Sequence, residues 1–222
     1  MASFHPRAED LPTEFPVFPL AGALLLPRGK LPLNIFEPRY LAMIEDALAA
    51  GRMFGMVQPD CSLSRGKTGP GLFRVGCLGR LISFSETDDG RFLVALVGVI
   101  RFEIAREIGT YRGYRRVCGE YARFRSDLDL SPRPIGIDRK VLLAEFRTYF
   151  SRRGLDANWD AIHRMPDDTL VTALSMVCPF EPLEKQALLE AEIDEERARV
   201  LLALLKMGGC GANHVPTGRI AS

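Results

Sequence analysis

Residues Phe15 to Tyr40 read FPVFPLAGALLLPRGKLPLNIFEPRY, a stretch that is apolar almost throughout yet carries prolines at 16, 19, 27, 32 and 38. No helix survives that proline spacing. The runs Phe15–Pro19 and Leu31–Phe36 are bounded by Pro and Gly, as strands are. A helix is predicted to open at Pro38, with Tyr40, Leu41, Ile44, Ala47 and Leu48 on one face and Gly51 just past its end. Met53–Gln58 then returns as a strand.

Working outward, the next signal is a hairpin from Leu72–Thr87 to Phe92–Phe102. Asp88-Asp89-Gly90 sits at its tip, where Gly supplies the positive φ a tight turn needs. The second arm, FLVALVGVIRF, is nearly all apolar, so both of its faces are expected to be covered, as in a closed barrel. Tyr114–Ala122 supplies a further strand. After Leu130-Ser131-Pro132-Arg133-Pro134 the apolar period changes from two to 3.6. Asp138 caps a helix whose buried face is Leu142, Phe146, Tyr149 and Phe150. A short turn follows around Trp159 and Ile162. Asp167 is read as the cap of a helix carrying Leu170, Leu174 and Val177, closed by Pro179. Pro182 opens another through Leu189. Asp194 is read as the cap of the last, with Val200, Leu201, Leu204 and Leu205 as its stripe, ending at Gly208-Gly209. The expected organisation is a flexible arm over 1–14, a strand-rich subdomain over 15–130, a helical subdomain over 135–208 and a disordered tail over 209–222.

The chain has 222 residues, 47 % hydrophobic and 26 % charged, enough to bury a substantial core. Its net charge of +1 supplies no global field toward nucleic acid or membrane. The five cysteines, Cys61, Cys77, Cys118, Cys178 and Cys210, form no CxxC pair, which argues against a zinc knuckle or a disulfide framework. Free thiols fit a reducing cytoplasm. No stretch reaches the roughly 18 apolar residues of a membrane span. Pro16, Pro19 and Gly22 break the first apolar run, so a cleaved signal helix is not expected.

Candidate chemistry fails on specific spacings. Arg65-Gly66-Lys67-Thr68 resembles the end of a phosphate loop, but Cys61 stands where its first Gly belongs and Gly69-Pro70-Gly71 where a helix should start. No GxSxG elbow is present, and His5, His163 and His214 are not placed beside a nucleophile. The carboxylate groups at Asp88/Asp89, Asp167/Asp168 and Glu192–Glu196 suit turns and helix starts, and none recurs with His or Cys at metal-ligand spacing. Neither a catalytic residue, a metal nor a cofactor is expected. YRGYRRVCGEYARFR, Tyr111 to Arg125, interleaves rings with cations and is the best nucleic-acid signal. It is set in a half with 17 Lys and Arg against 14 Asp and Glu over 1–128, a small excess for a nucleic-acid face. In a strand, such alternation of Tyr and Arg is more often an exposed sheet face with snorkelling side chains.

The remaining candidate is apolar. The loops Leu24–Lys30 and Phe36–Tyr40 lie at strand and helix junctions where the chain must surface. Leu26, Phe36, Glu37, Arg39 and Tyr40 are therefore the candidate contacts for a bound peptide, Glu37 and Arg39 orienting it by charge.

Three phrases carry a family resemblance: the Phe15–Tyr40 stretch, LFRVGCLGRLISFSETDDGRFLVALVGVIRF (Leu72–Phe102) and CPFEPLEKQALLEAEIDEERARVLLALL (Cys178–Leu205). In this order they resemble the N-terminal, substrate-binding domain of the Lon protease, and the similarity covers roughly 15–207. The wording IFEPRY, VQPD and GCLGR is most similar to bacterial proteins carrying that domain alone. The resemblance implies an α+β fold, a PUA-like β pseudo-barrel of about six strands followed by a helical bundle. It implies a non-enzymatic recognition module for unfolded or degron-bearing polypeptides, serving as an adaptor for a protease or chaperone. Neither Walker motifs nor the family's Ser–Lys peptidase region is visible, so ATP-dependent proteolysis by this polypeptide is not expected. The alternatives are RNA binding through the barrel, which PUA-like folds can carry, and an unrecognised hydrolase.

Overall fold

The computed structural model describes residues 6–66, 68–131 and 135–210. The start of the expected arm with His5, the loop residue Lys67, the linker residues Pro132, Arg133 and Pro134, and the expected tail with His214 lie outside the described residues. Among the described residues eight strands form: β1 (Glu14–Pro19), β2 (Lys30–Ile35), β3 (Met53–Val57), β4 (Pro59–Asp60), β5 (Gly71–Leu72), β6 (Val75–Glu86), β7 (Phe92–Tyr111) and β8 (Tyr114–Glu120). The helices are α1 (Pro38–Ala49), α2 (Arg139–Arg152), α3 (Trp159–Arg164), α4 (Asp167–Val177), α5 (Pro182–Glu190) and α6 (Asp194–Cys210). This is the expected α+β class.

Six strands form one sheet in the order β2-β7-β6-β3-β1-β8. β1 runs parallel to β3, with Val17 opposite Gly55, and every other pairing is antiparallel. β7 is 20 residues long and does double duty. Its first half pairs with β2 and β6, and its second half pairs with β8, from Glu103↔Glu120 to Tyr111↔Tyr114. The sheet therefore curls back on itself into a partial ring, with β2 left outside it as an edge. This is a pseudo-barrel, not a clean barrel. The register shifts between Leu78 and Gly79 and between Leu81 and Ser83 supply the local bends that curling requires.

Two strand expectations are corrected. The hairpin's second arm extends past Phe102 to Tyr111, because its polar continuation is held by β8. Nor is that arm covered on both faces from its start: Leu93 is exposed, and burial becomes continuous only from Gly98 to Phe102. The turn is as expected, with Gly90 at φ 76°.

The helices pack their apolar stripes on one another and on the sheet, and a single core runs through both halves. α2 buries Leu142, Phe146, Tyr149 and Phe150, the four residues its period predicts. The Asp138 side chain accepts hydrogen bonds from the Lys140 and Val141 N–H groups. Asp138→Ala should cost about 1 kcal/mol, read as a fall of about 2–4 °C in the thermal midpoint; an unchanged midpoint would remove the cap from the account. In α4 the buried set is Leu170, Val171, Leu174 and Ser175, while Val177, expected inside, faces out. Asp167 and Asp194, expected as caps, are instead the first helical residues of α4 and α6, where carboxylates meet the positive end of the helix dipole; the cap position of α4 is Pro166. α6 continues through Gly208-Gly209 to Cys210.

The N-terminal stretch is anchored from Ala8 onward. Ala8–Asp10 form a 3-10 turn, the Tyr121 hydroxyl donates to the Pro12 carbonyl at 2.6 Å, and Gly119 N–H donates to Thr13 at 3.0 Å. Polar side chains tie the two halves as well. Gln58 Nε2 donates to the Pro182 carbonyl at 2.9 Å, and Lys185 Nζ to the Gly22 carbonyl at 2.6 Å. No helix among the described residues is long and apolar enough to cross a membrane.

Candidate functional site

Edge strand β2 and helix α4 face each other across a groove of about 530 Å³. The strand side is Arg28, Gly29, Lys30, Leu31 and Pro32; the helix side is Asp168, Thr169, Thr172, Ala173, Met176 and Val177. The helix residues recur at i, i+4 and i, i+3 spacings, so they form one face, opposite the buried Leu170–Leu174 stripe. Gly29 leaves room for the Met176 thioether, which a Cβ there would displace. Arg28 adopts φ 66°, a region L-residues seldom occupy. From there its guanidinium reaches Asp168 and Asp194, each at 3.5 Å, closing one end of the groove with charge. Val177 is 62 % exposed at the rim. Among described residues β2 pairs with β7 alone, and Lys30, Pro32 and Asn34 are exposed along it. Pro32 offers no N–H, so the edge resists casual strand pairing and a ligand here is held chiefly through its side chains.

Of the five residues expected to bind peptide, Glu37, Arg39 and Tyr40 are brought together, and Leu26 is not with them. Leu26 is 0 % exposed, its backbone laid against β7 at Gly98, which corrects the expectation that the Leu24–Lys30 loop surfaces there. Leu24 and Leu25 are buried too; the loop turns outward only at Arg28. Phe36, just past the end of β2, is 64 % exposed. Glu37 binds Arg39 at 2.7 Å, and the Arg39 guanidinium stacks 4.6 Å from the centre of the Tyr40 ring. Tyr40 itself is buried against Phe18, which raises its phenol pKa, Arg39 pulling the other way. Arg39 and Tyr40 line a second, smaller cleft of about 130 Å³, shared with Pro19, Pro59, Arg65, Thr68, Gly69, Pro70, Gly113, Tyr114 and Arg115.

Four of the five arginines in the Tyr111–Arg125 stretch are matched to carboxylates. Arg112 binds Asp46 and Glu45, Arg115 binds Glu107, Arg116 binds Glu14, and Arg123 binds Glu103 and Glu192. The Tyr114 hydroxyl donates to Asp46 at 2.7 Å. Cations already matched to carboxylates offer less to phosphates. The loop with Gly66 and Gly69 forms an isolated antiparallel bridge, with no helix following. Burial pushes the Cys178 thiol up to about 12 and raises Cys77 as well, so neither is an activated nucleophile. The described residues hold no cluster of three or more His, Cys, Asp and Glu side chains suited to a metal ion.

A family model, described as the ATP-dependent protease La (LON) substrate-binding domain, matches residues 14–207. The chain belongs to that family. Lon protease 2 of Myxococcus xanthus is 22 % identical over 199 residues, 89 % of this chain and 24 % of that protein. A Lon protease of Flavobacterium johnsoniae is 28 % identical over 96 residues, 43 % of this chain and 12 % of that one. The LON domain described here thus spans a quarter or less of these relatives' length. Two solved structures share the fold, each with a TM-score of 0.57. The Lon N-terminal domain protein from Xanthomonas campestris is 22 % identical, covering 86 % of this chain and 98 % of its own. The N-terminal domain of Mycobacterium avium complex Lon protease is 16 % identical, covering 87 % and 98 %.

Sequence reasoning missed the α4 side of this LON domain's groove. A weak signal existed in DDTLVTALSMV: apolar residues run nearly all round the helix, more than one buried stripe can use.

Proposed function

We propose that this LON domain binds extended apolar segments of unfolded or degron-bearing polypeptides in the β2–α4 groove, and passes them to a protease or chaperone as an adaptor. The observation that carries the reading is the groove itself: a concave, mostly apolar surface with a charged end, walled by a sheet edge and a helix face. Met176 supports it, because a flexible thioether repacks around varied side chains. Family membership supports polypeptide as the ligand class. Of the five sequence candidates, Phe36 retains a role as an exposed apolar contact beyond the end of β2. In this reading the chain acts by binding alone, without metal, cofactor or ATP, and works in the cytoplasm, where the described cysteines Cys61, Cys77, Cys118 and Cys178 stay free thiols.

Fluorescence anisotropy with labelled apolar peptides tests the proposal. Saturable binding of about micromolar strength, equal with and without ATP, is expected. Ala173→Glu places a carboxylate on the groove wall and should weaken that binding at least about tenfold. Absence of saturable binding to any peptide in the panel would sink the reading.

A further inference from the structure

The smaller cleft shares no lining residue with the groove, and its chemistry is different. Five separate segments build it: the end of β1, the first turn of α1, Pro59 at the start of β4, the loop residues Arg65, Thr68, Gly69 and Pro70, and the turn between β7 and β8 with the start of β8. Three guanidinium groups line it. The Arg115 side chain is only 7 % exposed. Its Nε and Nη2 donate to the two Glu107 carboxylate oxygens at 3.1 and 2.6 Å, and its Nη1 to the Pro70 carbonyl at 2.7 Å. Those bonds fix the plane of the fork and leave two of its five N–H groups unspent. Arg39 is fixed in the same way. Its Nε and Nη2 both donate to Glu37 Oε2 at 3.0 and 2.7 Å, its plane lies over Tyr40, and both N–H groups of Nη1 remain. Arg65 has no carboxylate partner among the described residues, so the cleft holds one cation more than its carboxylates neutralise.

Prolines 19, 59 and 70 and the rings of Tyr40 and Tyr114 supply the rest of the wall. A volume of about 130 Å³ admits a few heavy atoms, not a helix or a folded surface. Pre-oriented planar donors, one surplus positive charge and small apolar walls match a planar anion attached to a small apolar body. On a polypeptide that combination occurs at one place in the main chain, its C-terminus. We infer that this cleft binds the C-terminal carboxylate of a polypeptide, the guanidiniums of Arg39, Arg65 and Arg115 holding the two oxygens and the proline–tyrosine wall the last side chain. The inference rests on the polypeptide-binding reading above and deepens it: the groove takes internal apolar sequence, and the cleft reads a chain end.

The test uses one apolar decapeptide, labelled at its N-terminus and prepared both as the free acid and as the C-terminal amide. The free acid should bind the full chain about tenfold more tightly than the amide. Arg65→Ala, a change at an exposed side chain with no carboxylate partner among the described residues, should bring the free acid down to the affinity of the amide; Arg39→Ala should do the same. Ala173→Glu should weaken acid and amide by the same factor, which separates the groove from the cleft. Equal binding of acid and amide overturns the inference, and the groove reading then stands or falls on Ala173→Glu alone. An acid advantage that persists in both arginine variants overturns it too. Inorganic phosphate is the third arm: saturable phosphate binding without an acid advantage assigns the cleft to a free oxyanion and overturns the chain-end assignment.

Discussion

Asp127→Ala should lower the unfolding free energy by about 3–5 kcal/mol, the usual cost of stranding a buried charge, seen as a lower urea midpoint at unchanged slope. Its partner Arg101 is 2 % exposed, in the middle of β7. Asp127 grips it from three directions: backbone N–H to Oδ2 at 3.0 Å, Nε to Oδ2 at 2.9 Å and Nη2 to Oδ1 at 2.8 Å. The remaining donors go to carbonyls in the helical half, Nη1 to Leu189 and Ala191 and Nη2 to Glu192. The fork is fully satisfied and also lies 4.4 Å from the centre of the Phe124 ring. Arg197 adds to the expected loss. It is buried as well; burial and the nearby Arg101 charge depress its affinity for a proton, while Asp194 and Asp127 oppose them. Removing Asp127 leaves two buried cations facing one remaining carboxylate. The paired change Arg101→Met with Asp127→Leu removes charge and partner together and should cost much less than either single removal. A loss under about 1 kcal/mol for Asp127→Ala would show that water or a neighbour replaces the carboxylate.

Gly98→Ala should be nearly as damaging although it adds one methyl group. Gly98 is the point where the Leu26–Gly29 backbone lies against β7. Arg28 N–H donates to the Gly98 carbonyl at 2.8 Å, and Gly98 N–H donates to the Gly29 carbonyl at 2.9 Å. A Cβ would overlap the Leu26 carbonyl oxygen, and backbone held from both sides cannot step aside as a side chain can. Overpacking of this kind costs about 3 kcal/mol, the upper end of the usual range. Two readouts should move together: the urea midpoint, and peptide affinity, because Arg28 and Gly29 form one wall of the groove. A variant of wild-type stability would mean the loop has another seat on the sheet.

The features legible in the sequence were those written in neighbouring residues. Asp88-Asp89-Gly90 marked the hairpin, Asp138 the start of α2, Pro182 the start of α5, and the 3.6 period the buried face of α2. Features set by distant partners were not legible. EIAREIGTY looked too polar to continue a strand, yet β8 supplies its ladder. Leu24–Leu26 looked like a surfacing loop, but Gly98, some seventy positions away, opens a seat for it in the core. The arginines of Tyr111–Arg125 suggested a nucleic-acid face because the carboxylates that four of them meet come from Glu14, Glu45, Asp46, Glu103, Glu107 and Glu192, all of them outside the stretch. The groove left only the surplus apolar residues of α4 as a local trace, since it exists only where β2 and α4 meet. Of the five candidate contacts, Arg39 and Tyr40 did fall at a cleft, though not at the apolar one.

The pairing of β1 has a consequence for how the molecule is made. Glu14 stands opposite Cys118, 104 positions later, and Val17 lies beside Gly55 in parallel register. A strand that leaves the ribosome early thus waits for one of its neighbours until most of the sheet has been translated, whereas β6, β7 and β8 can zip as successive hairpins. The apolar side chains of Phe15, Val17 and Phe18 stay uncovered through that interval. Nascent chains are therefore most open to chaperone capture or self-association before β8 emerges, and a substitution that slows the β7–β8 hairpin lengthens the exposure even when the finished protein is as stable as before.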